Sequence, residues 1–170
     1  IFIDITEKIN AENEIHQRLE YEQLLSKIST EAASAENLDS FAQSSLAAIG
    51  ETFNVSRVTI YEFKKGDNSF EWNNPNLGSN SFTRHSTLSK NTIRWLTSIM
   101  KRNEFIVYSN IDDISDSHTK EMLQAQGVKS LLIVPLFINE SFLGFMGFVD
   151  CKKFRQWPEI DLKILLSISH

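Results

Sequence analysis

Two stretches in the last third of the chain, Ser130 to Phe137 (SLLIVPLF) and Phe142 to Val149 (FLGFMGFV), are apolar at odd and even positions alike. A strand exposed on one side alternates, so apolar character at both parities predicts central strands covered on two faces. Ile138, Asn139 and Glu140 supply a tight antiparallel connection between them. Gly144 and Gly147 fall inside the second strand. Glycine weakens a ladder unless a neighbouring element or a ligand needs the missing side-chain volume. Trp157-Pro158-Glu159 then starts a helix, with proline near its first position and a carboxylate in its first turn.

Upstream, Arg57 to Phe63 alternates as a strand does, Lys65-Gly66-Asp67-Asn68 forms a turn, and Phe70 to Asn73 completes a hairpin. Asn74 to Lys90 is rich in Asn and Ser and reads as a long loop, a feature tied to binding or disorder more often than to scaffold. Asn91 to Lys101, carrying Ile93, Trp95, Leu96, Ile99 and Met100, predicts a helix, and Phe105 to Tyr108 a strand. Asp116 or Ser117 caps a further helix, Thr119 to Gln126, which Gly127 ends. Asn37 caps an earlier one, with Leu38, Phe41, Ala42, Leu46, Ile49 and Phe53 on one face and Asn54 closing it. The sum is an α+β fold, an antiparallel sheet with helices on its faces.

The N-terminal segment, residues 1–33, reads as a unit apart from the domain at 34–170. Ile1 to Ile5 is expected as a short strand running into a capping box, with Asp4 as the cap and Glu7 reaching back. A long helix comes next, from Lys8 to about Ala33, striped by Ile9, Ile15, Leu19, Leu24, Leu25 and Ile28. Glu12 and Glu22 interrupt a strict heptad seam, so a short two-helix contact is expected in place of a long coiled coil.

Composition narrows the function. In 170 residues with 41% hydrophobic content there is material for one domain and an appendage. Seventeen Lys and Arg against 22 Asp and Glu give a net charge of −5, with no basic cluster beyond Lys152, Lys153 and Arg155, which argues against nucleic acid as a partner. The single cysteine, Cys151, cannot form an intrachain disulfide and suits a reducing compartment. No apolar run approaches the roughly 20 residues that cross a bilayer, so a cytoplasmic piece without direct membrane contact is expected, from a parent that can carry spans elsewhere. The absence of an initiator methionine and of a helix stop before His170 gives the expectation of a fragment of a longer polypeptide.

Catalytic chemistry finds no foothold. His16, His85, His118 and His170 are dispersed without metal-ligand spacing, and Asp112, Asp113 and Asp116 lack the oxygen, Gly and Glu pattern of a calcium loop. There is no nucleophile motif and no phosphate-cradling glycine loop.

The order strand, turn, glycine-interrupted strand, Arg155-x-Trp157 and amphipathic helix resembles the C-terminal half of GAF domains, the ligand-binding and interaction modules of signalling proteins. The resemblance extends back to about Leu24. Asn54 to Tyr61 is similar to the family's first core strand, Glu71-Trp72 to its second, and Gly127 to Ser130 to the entry of its fourth. Many relatives read Gly-Phe-Asp where this chain has Gly147-Phe148-Val149-Asp150, which leaves the exit of that strand open. Asp4-Ile5-Thr6-Glu7 and the helix after it resemble the end of a PAS domain and its signalling helix.

The resemblance implies a regulatory sensory domain of a multidomain signal transducer, foremost a two-component sensor histidine kinase. The alternative is a dimerisation or interaction module without a ligand, from a diguanylate cyclase or phosphodiesterase. Thr59, Tyr61, Trp72, Trp95 and Tyr108 are the candidate ligand-binding residues, with ordinary core packing as the competing reading. The ligand is unknown, and no haem, bilin or metal signature is present. Asp113-Ile114-Ser115 lacks the flanking prolines of a bilin motif, one cysteine is too few for a free-methionine sulfoxide reductase, and the Asn-Lys-Phe-Asp-Glu pattern of cyclic-nucleotide binders is missing. The first and last helices, through Ile15, Leu19, Leu25, Ile28, Ile164 and Ile168, are expected to form a homodimer interface and to connect flanking PAS and output domains.

Overall fold

The computed structural model describes residues 2–63, 68–77, 89–100, 102 and 105–169. Its five strands are β1 (Arg57–Glu62), β2 (Asn68–Asn73), β3 (Ile106–Tyr108), β4 (Ser130–Ile138) and β5 (Ser141–Asp150). They form one antiparallel sheet in the order β2-β1-β5-β4-β3. The two doubly apolar stretches are the paired strands β4 and β5, in contact from Ser130↔Asp150 to Ile138↔Ser141. Asn139 (φ 48°) and Glu140 (φ 63°) make the reversal by themselves, since two successive positive φ angles match the twist of the flanking strands. Ile138, expected in the connection, is the last residue of β4.

Alternation explains why both parities are apolar. Val58, Leu132, Val134, Met146 and Phe148 point to one face, where α1 (Phe2–Ser34), α2 (Leu38–Thr52) and α5 (Glu159–Ile168) cover them. Tyr61, Leu131, Ile133, Phe145 and Val149 point to the other, under α3 (Lys90–Met100), α4 (Ser117–Ala125) and a 3-10 turn at Ile111–Asp113. Each such side chain taken fully out of water contributes roughly 1.5–3 kcal/mol. The extra residue Val149 does not bulge the strand. It pairs with Arg57 and Leu131 in regular register and is buried in the second core.

Two glycines are dictated by close approach. A Cβ on Gly144 would collide with the backbone carbonyl of Tyr61 on the adjacent strand, and one on Gly50 would enter the Trp72 ring. The caps agree with the sequence. Asn37 accepts from the Ser40 amide at 2.8 Å, Asp116 accepts from the Thr119 amide at 2.9 Å, and Gly127 (φ 70°) and Asn54 (φ 49°) come after helix ends in the left-handed region.

One expected element is overturned. The segment expected as a strand at Ile1 to Ile5 is helical from Phe2, and Asp4 lies inside the first turn of α1, where it is not a cap. Four apolar residues cannot set a period. They adjoin some thirty residues without Gly or Pro, and once a helix is nucleated each added residue gains a hydrogen bond at small cost. Other boundaries move by a residue or two: Phe105 precedes β3, α3 starts at Lys90, and α4 starts at Ser117. The turn at residues 65–67 and most of the loop at 74–90 lie outside the described residues.

Candidate functional site

Beneath α3 and α4 the second sheet face encloses a largely apolar cavity of about 90 Å³. Its lining is segregated by strand. Phe145 and Val149 of β5 and Leu131 and Ile133 of β4 form an apolar side, closed above by Trp95, Leu96, Met122 and Leu123. Arg57 and Thr59 of β1 and Glu71 of β2 form a polar side, joined by Gln126 at the end of α4. Gly147 lies between them on β5, opposite Thr59, and its missing side chain leaves the floor open, since a Cβ there would meet Thr59 Oγ1 at 3.0 Å.

The polar side is held in place by the pleat. Thr59 and Glu71 are direct cross-strand partners, and Arg57, two residues before Thr59, shares their face. Arg57 is 4% exposed and donates from Nη2 to Gln126 Oε1 at 2.9 Å. Burial holds its pKa below the ordinary arginine value, while Glu71 and Cys151 pull in the opposite direction. An arginine remains charged under such a shift. Glu71 accepts from Asn73 Nδ2 at 2.7 Å. At the helical roof, the Thr92 and Thr119 hydroxyls meet at 3.2 Å, and Ser89 joins Thr92 at 2.8 Å.

Of the five residues proposed from sequence, Thr59 and Trp95 line the cavity. Tyr61 belongs to the same core but is stacked against Phe145, ring centroids 5.1 Å apart, and does not reach the opening. Tyr108 is half-buried at the margin of that core. Trp72 is a correction. It is the cross-strand partner of Val58, one residue out of step with Glu71, and therefore points to the opposite face, where its ring fills the space above Gly50. Arg57, Glu71, Gln126, Thr92, Thr119 and Met122 were not legible as site residues. The one signal for them was Arg57 itself, a charge at the start of a strand that resembles the family's first core strand.

On the other face a polar contact ties the first helix to the last. Tyr21 donates its hydroxyl to Asp161 Oδ1, and Gln17 Nε2 reaches Tyr21 Oη at 2.8 Å and Asp161 Oδ1 at 3.3 Å. Tyr21 and Asp161 are both buried, and the Tyr21 ring stacks on Phe53 at 5.3 Å. Burial first, then the hydrogen bond and charge of Asp161, push the Tyr21 pKa well above the usual tyrosine value. N-terminal to this contact, residues 4–20 of α1 are exposed on all sides apart from half-buried Gln17. Ile15 and Leu19, proposed for a dimer interface, are 68% and 49% exposed, alongside Ile5 and Ile9. Leu25, Ile28, Ile164 and Ile168 are half-buried, and the last three pack against the first core.

Among the described residues, no group of three or more His, Cys, Asp or Glu side chains converges as a metal site, and no helix is long and apolar enough to cross a membrane. His16 faces Glu20 at 3.3 Å on exposed α1, and His85 and His170 lie outside the described residues. Cys151 is half-buried just beyond β5 and is absent from the cavity lining.

This arrangement defines a two-faced sensory module, with a cavity on one side of a five-stranded sheet and an N-terminal and a C-terminal helix on the other. The chain belongs to the GAF domain family, whose model matches residues 37–170. It is 31% identical over 105 residues to the methanogenesis regulatory histidine kinase FilI of Methanothrix harundinacea (strain 6Ac), a match covering 62% of this chain and 11% of the kinase. The chain therefore spans about a tenth of that relative's length. Among solved structures it resembles the phycocyanobilin-bound GAF domain from a cyanobacterial phytochrome (TM-score 0.75, 19% identity, 88% of this chain and 89% of the other). It also resembles the blue-light absorbing form of the Thermosynechococcus elongatus PixJ GAF domain (TM-score 0.62, 19% identity, 73% and 75%). At such identities the likeness concerns the fold.

Proposed function

We propose that this chain is the regulatory sensory domain of a larger signal transducer of the histidine kinase type, in which occupancy of the cavity biases the packing of α1 and α5. The observation that carries the reading is that the same strands, β4 and β5, floor the cavity on one face and seat α1, α2 and α5 on the other. A ligand shifts such an equilibrium only through a difference in its affinity for two arrangements. A packed sheet supplies discrete arrangements because its side chains interdigitate and do not deform continuously. Similarity to a regulatory histidine kinase supports the kinase context. A PAS domain ahead of α1 rests on the Asp4-Ile5-Thr6-Glu7 sequence alone.

Bilin is the ligand of some structural relatives, yet the cavity here favours a smaller molecule. At about 10–15 Å³ for each water-sized site, 90 Å³ corresponds to roughly 6–9 such sites, and an open-chain tetrapyrrole is several times larger. A thermal-shift screen of small metabolites against the wild type and Gly147→Leu tests the proposal. Compounds that stabilise the wild type and leave the filled-cavity variant unmoved are expected. A wild type that responds to nothing, and that carries no retained molecule in native mass spectrometry, would leave α1 and α5 relaying a signal without a ligand.

A further inference from the structure

We infer that the cavity is built for a small amphipathic zwitterion, an α-amino acid with an apolar side chain, its carboxylate on Arg57 and its ammonium on Glu71. The inference rests on the ligand-binding reading above and adds the chemical class. Arg57 is a guanidinium removed from water, in a cavity wall that also holds the carboxylate of Glu71. Both sit on the β1–β2 side, diagonal to one another across the strand pair, with Thr59 between them. Together they carry no net charge. A ligand bearing only a carboxylate would meet Arg57 but also face Glu71, and one bearing only an ammonium would have the reverse conflict, each bringing a like charge beside the group it pairs with. A head group carrying both signs meets each with its opposite, alongside the bonds that Arg57 makes to Gln126 and Glu71 to Asn73. The guanidinium fork matches a carboxylate geometrically, and low local dielectric strengthens each contact.

The rest of the wall selects the tail. Phe145, Ile133 and Leu131 below and Trp95 and Met122 above offer an apolar slot on the β4–β5 side, away from the charged pair. The thioether of Met122 can adjust to side chains of differing branching. A cavity of about 90 Å³ suits a molecule on the scale of valine, leucine or methionine and is too small for a nucleotide. Thr59 Oγ1, beside Gly147 in the cavity lining, offers the ligand backbone a further hydrogen bond.

Isothermal titration of the protein with L-valine, L-leucine and L-methionine tests this, alongside 4-methylpentanoate, which lacks the amine of leucine, and 3-methylbutylamine, which lacks its carboxylate. At least one amino acid is expected to bind, with each truncated analogue weaker by tenfold or more. Glu71→Gln should weaken the amino acid by tenfold or more yet leave 4-methylpentanoate unchanged or tighter. A merely structural Glu71 would not produce that crossover. Because Arg57 is buried, Arg57→Lys accompanies Arg57→Gln, and circular dichroism establishes that each is folded before its loss of binding is read. Equal binding of the truncated analogues, or an amino acid indifferent to Glu71→Gln, overturns the assignment of the class. If no amino acid binds while another compound in the metabolite screen does, the zwitterion proposal falls and the ligand-binding reading stands. If nothing binds at all, both fall.

Discussion

Tyr21 illustrates how one side chain carries consequences well beyond its surroundings. Its hydroxyl and the Asp161 carboxylate are buried together between α1 and α5, so removing either leaves the other without its main partner. Tyr21→Phe is expected to destabilise the fold by about 1–3 kcal/mol in urea denaturation, the usual cost of orphaning a buried polar group. The contact also sets a pH limit. Because the folded-state pKa of Tyr21 is raised, its contribution is complete below the unfolded tyrosine value of about 10. It is lost as pH climbs past that value, since the unfolded chain then releases a proton that the folded chain retains. Asp161 and Glu20 act in the same direction and Gln17 opposes them. Above pH 10 the stability gap between wild type and Tyr21→Phe should narrow, and a constant gap would contradict this cause. Gly50 and Gly147 offer a second contrast at this scale. Gly50→Ala forces the Trp72 ring aside and should cost about 1–3 kcal/mol by overpacking. Gly147→Ala meets only the Thr59 hydroxyl and opens onto the cavity, so its melting temperature should fall less.

Elements were legible where a period or a cap was long enough to be unambiguous. The strands β4 and β5 announced themselves by apolar character at both parities, and α2 and α4 by Asn37 and Asp116. The first residues of α1 did not, because helix and strand compete evenly over four apolar residues and the long helical run after them decides the outcome. The cavity was half legible for a related reason. Aromatic residues named the correct sheet face for Thr59 and Trp95, but Trp72 went to the other face through the one-residue alternation that pairs Glu71 with Thr59. The Tyr21–Asp161 contact joins positions 140 residues apart, and no local pattern reports a pairing of that span. Its only trace is Asp161 one turn before Leu165, a carboxylate on the buried stripe of α5. The exposed half of α1 makes its own prediction. Ile5, Ile9, Ile15 and Leu19 present apolar surface that nothing in the described chain covers, and a helix projecting from its domain gains stability from a second copy. Ile15→Glu with Leu19→Glu should convert a dimer to a monomer in sedimentation at micromolar concentration and leave the melting of the sheet unchanged. A wild type that sediments as a monomer, or a double variant that still pairs, would remove α1 from the interface.

For the whole molecule, we propose that the two faces of the sheet are energetically coupled. The strands that floor the cavity also seat the helices, so a ligand held between Arg57, Glu71 and Phe145 would press on the backbone that carries Val134, Met146 and Phe148. Coupling of this kind is reciprocal: whatever ligand stabilises one arrangement of α1 and α5 must be bound more tightly by that arrangement. Tyr21→Phe loosens the helix pair and should therefore change ligand affinity, although it lies across the sheet from the cavity. Hydrogen exchange, read with and without a saturating ligand from the metabolite screen, tests the coupling most directly. Slower exchange is expected in β1, β2, α3 and α4 around the cavity, together with a changed rate in α1 and α5 around Tyr21 and Asp161. Protection confined to the cavity face, with α1 and α5 exchanging as they do in the free protein, would contradict coupling between the two faces.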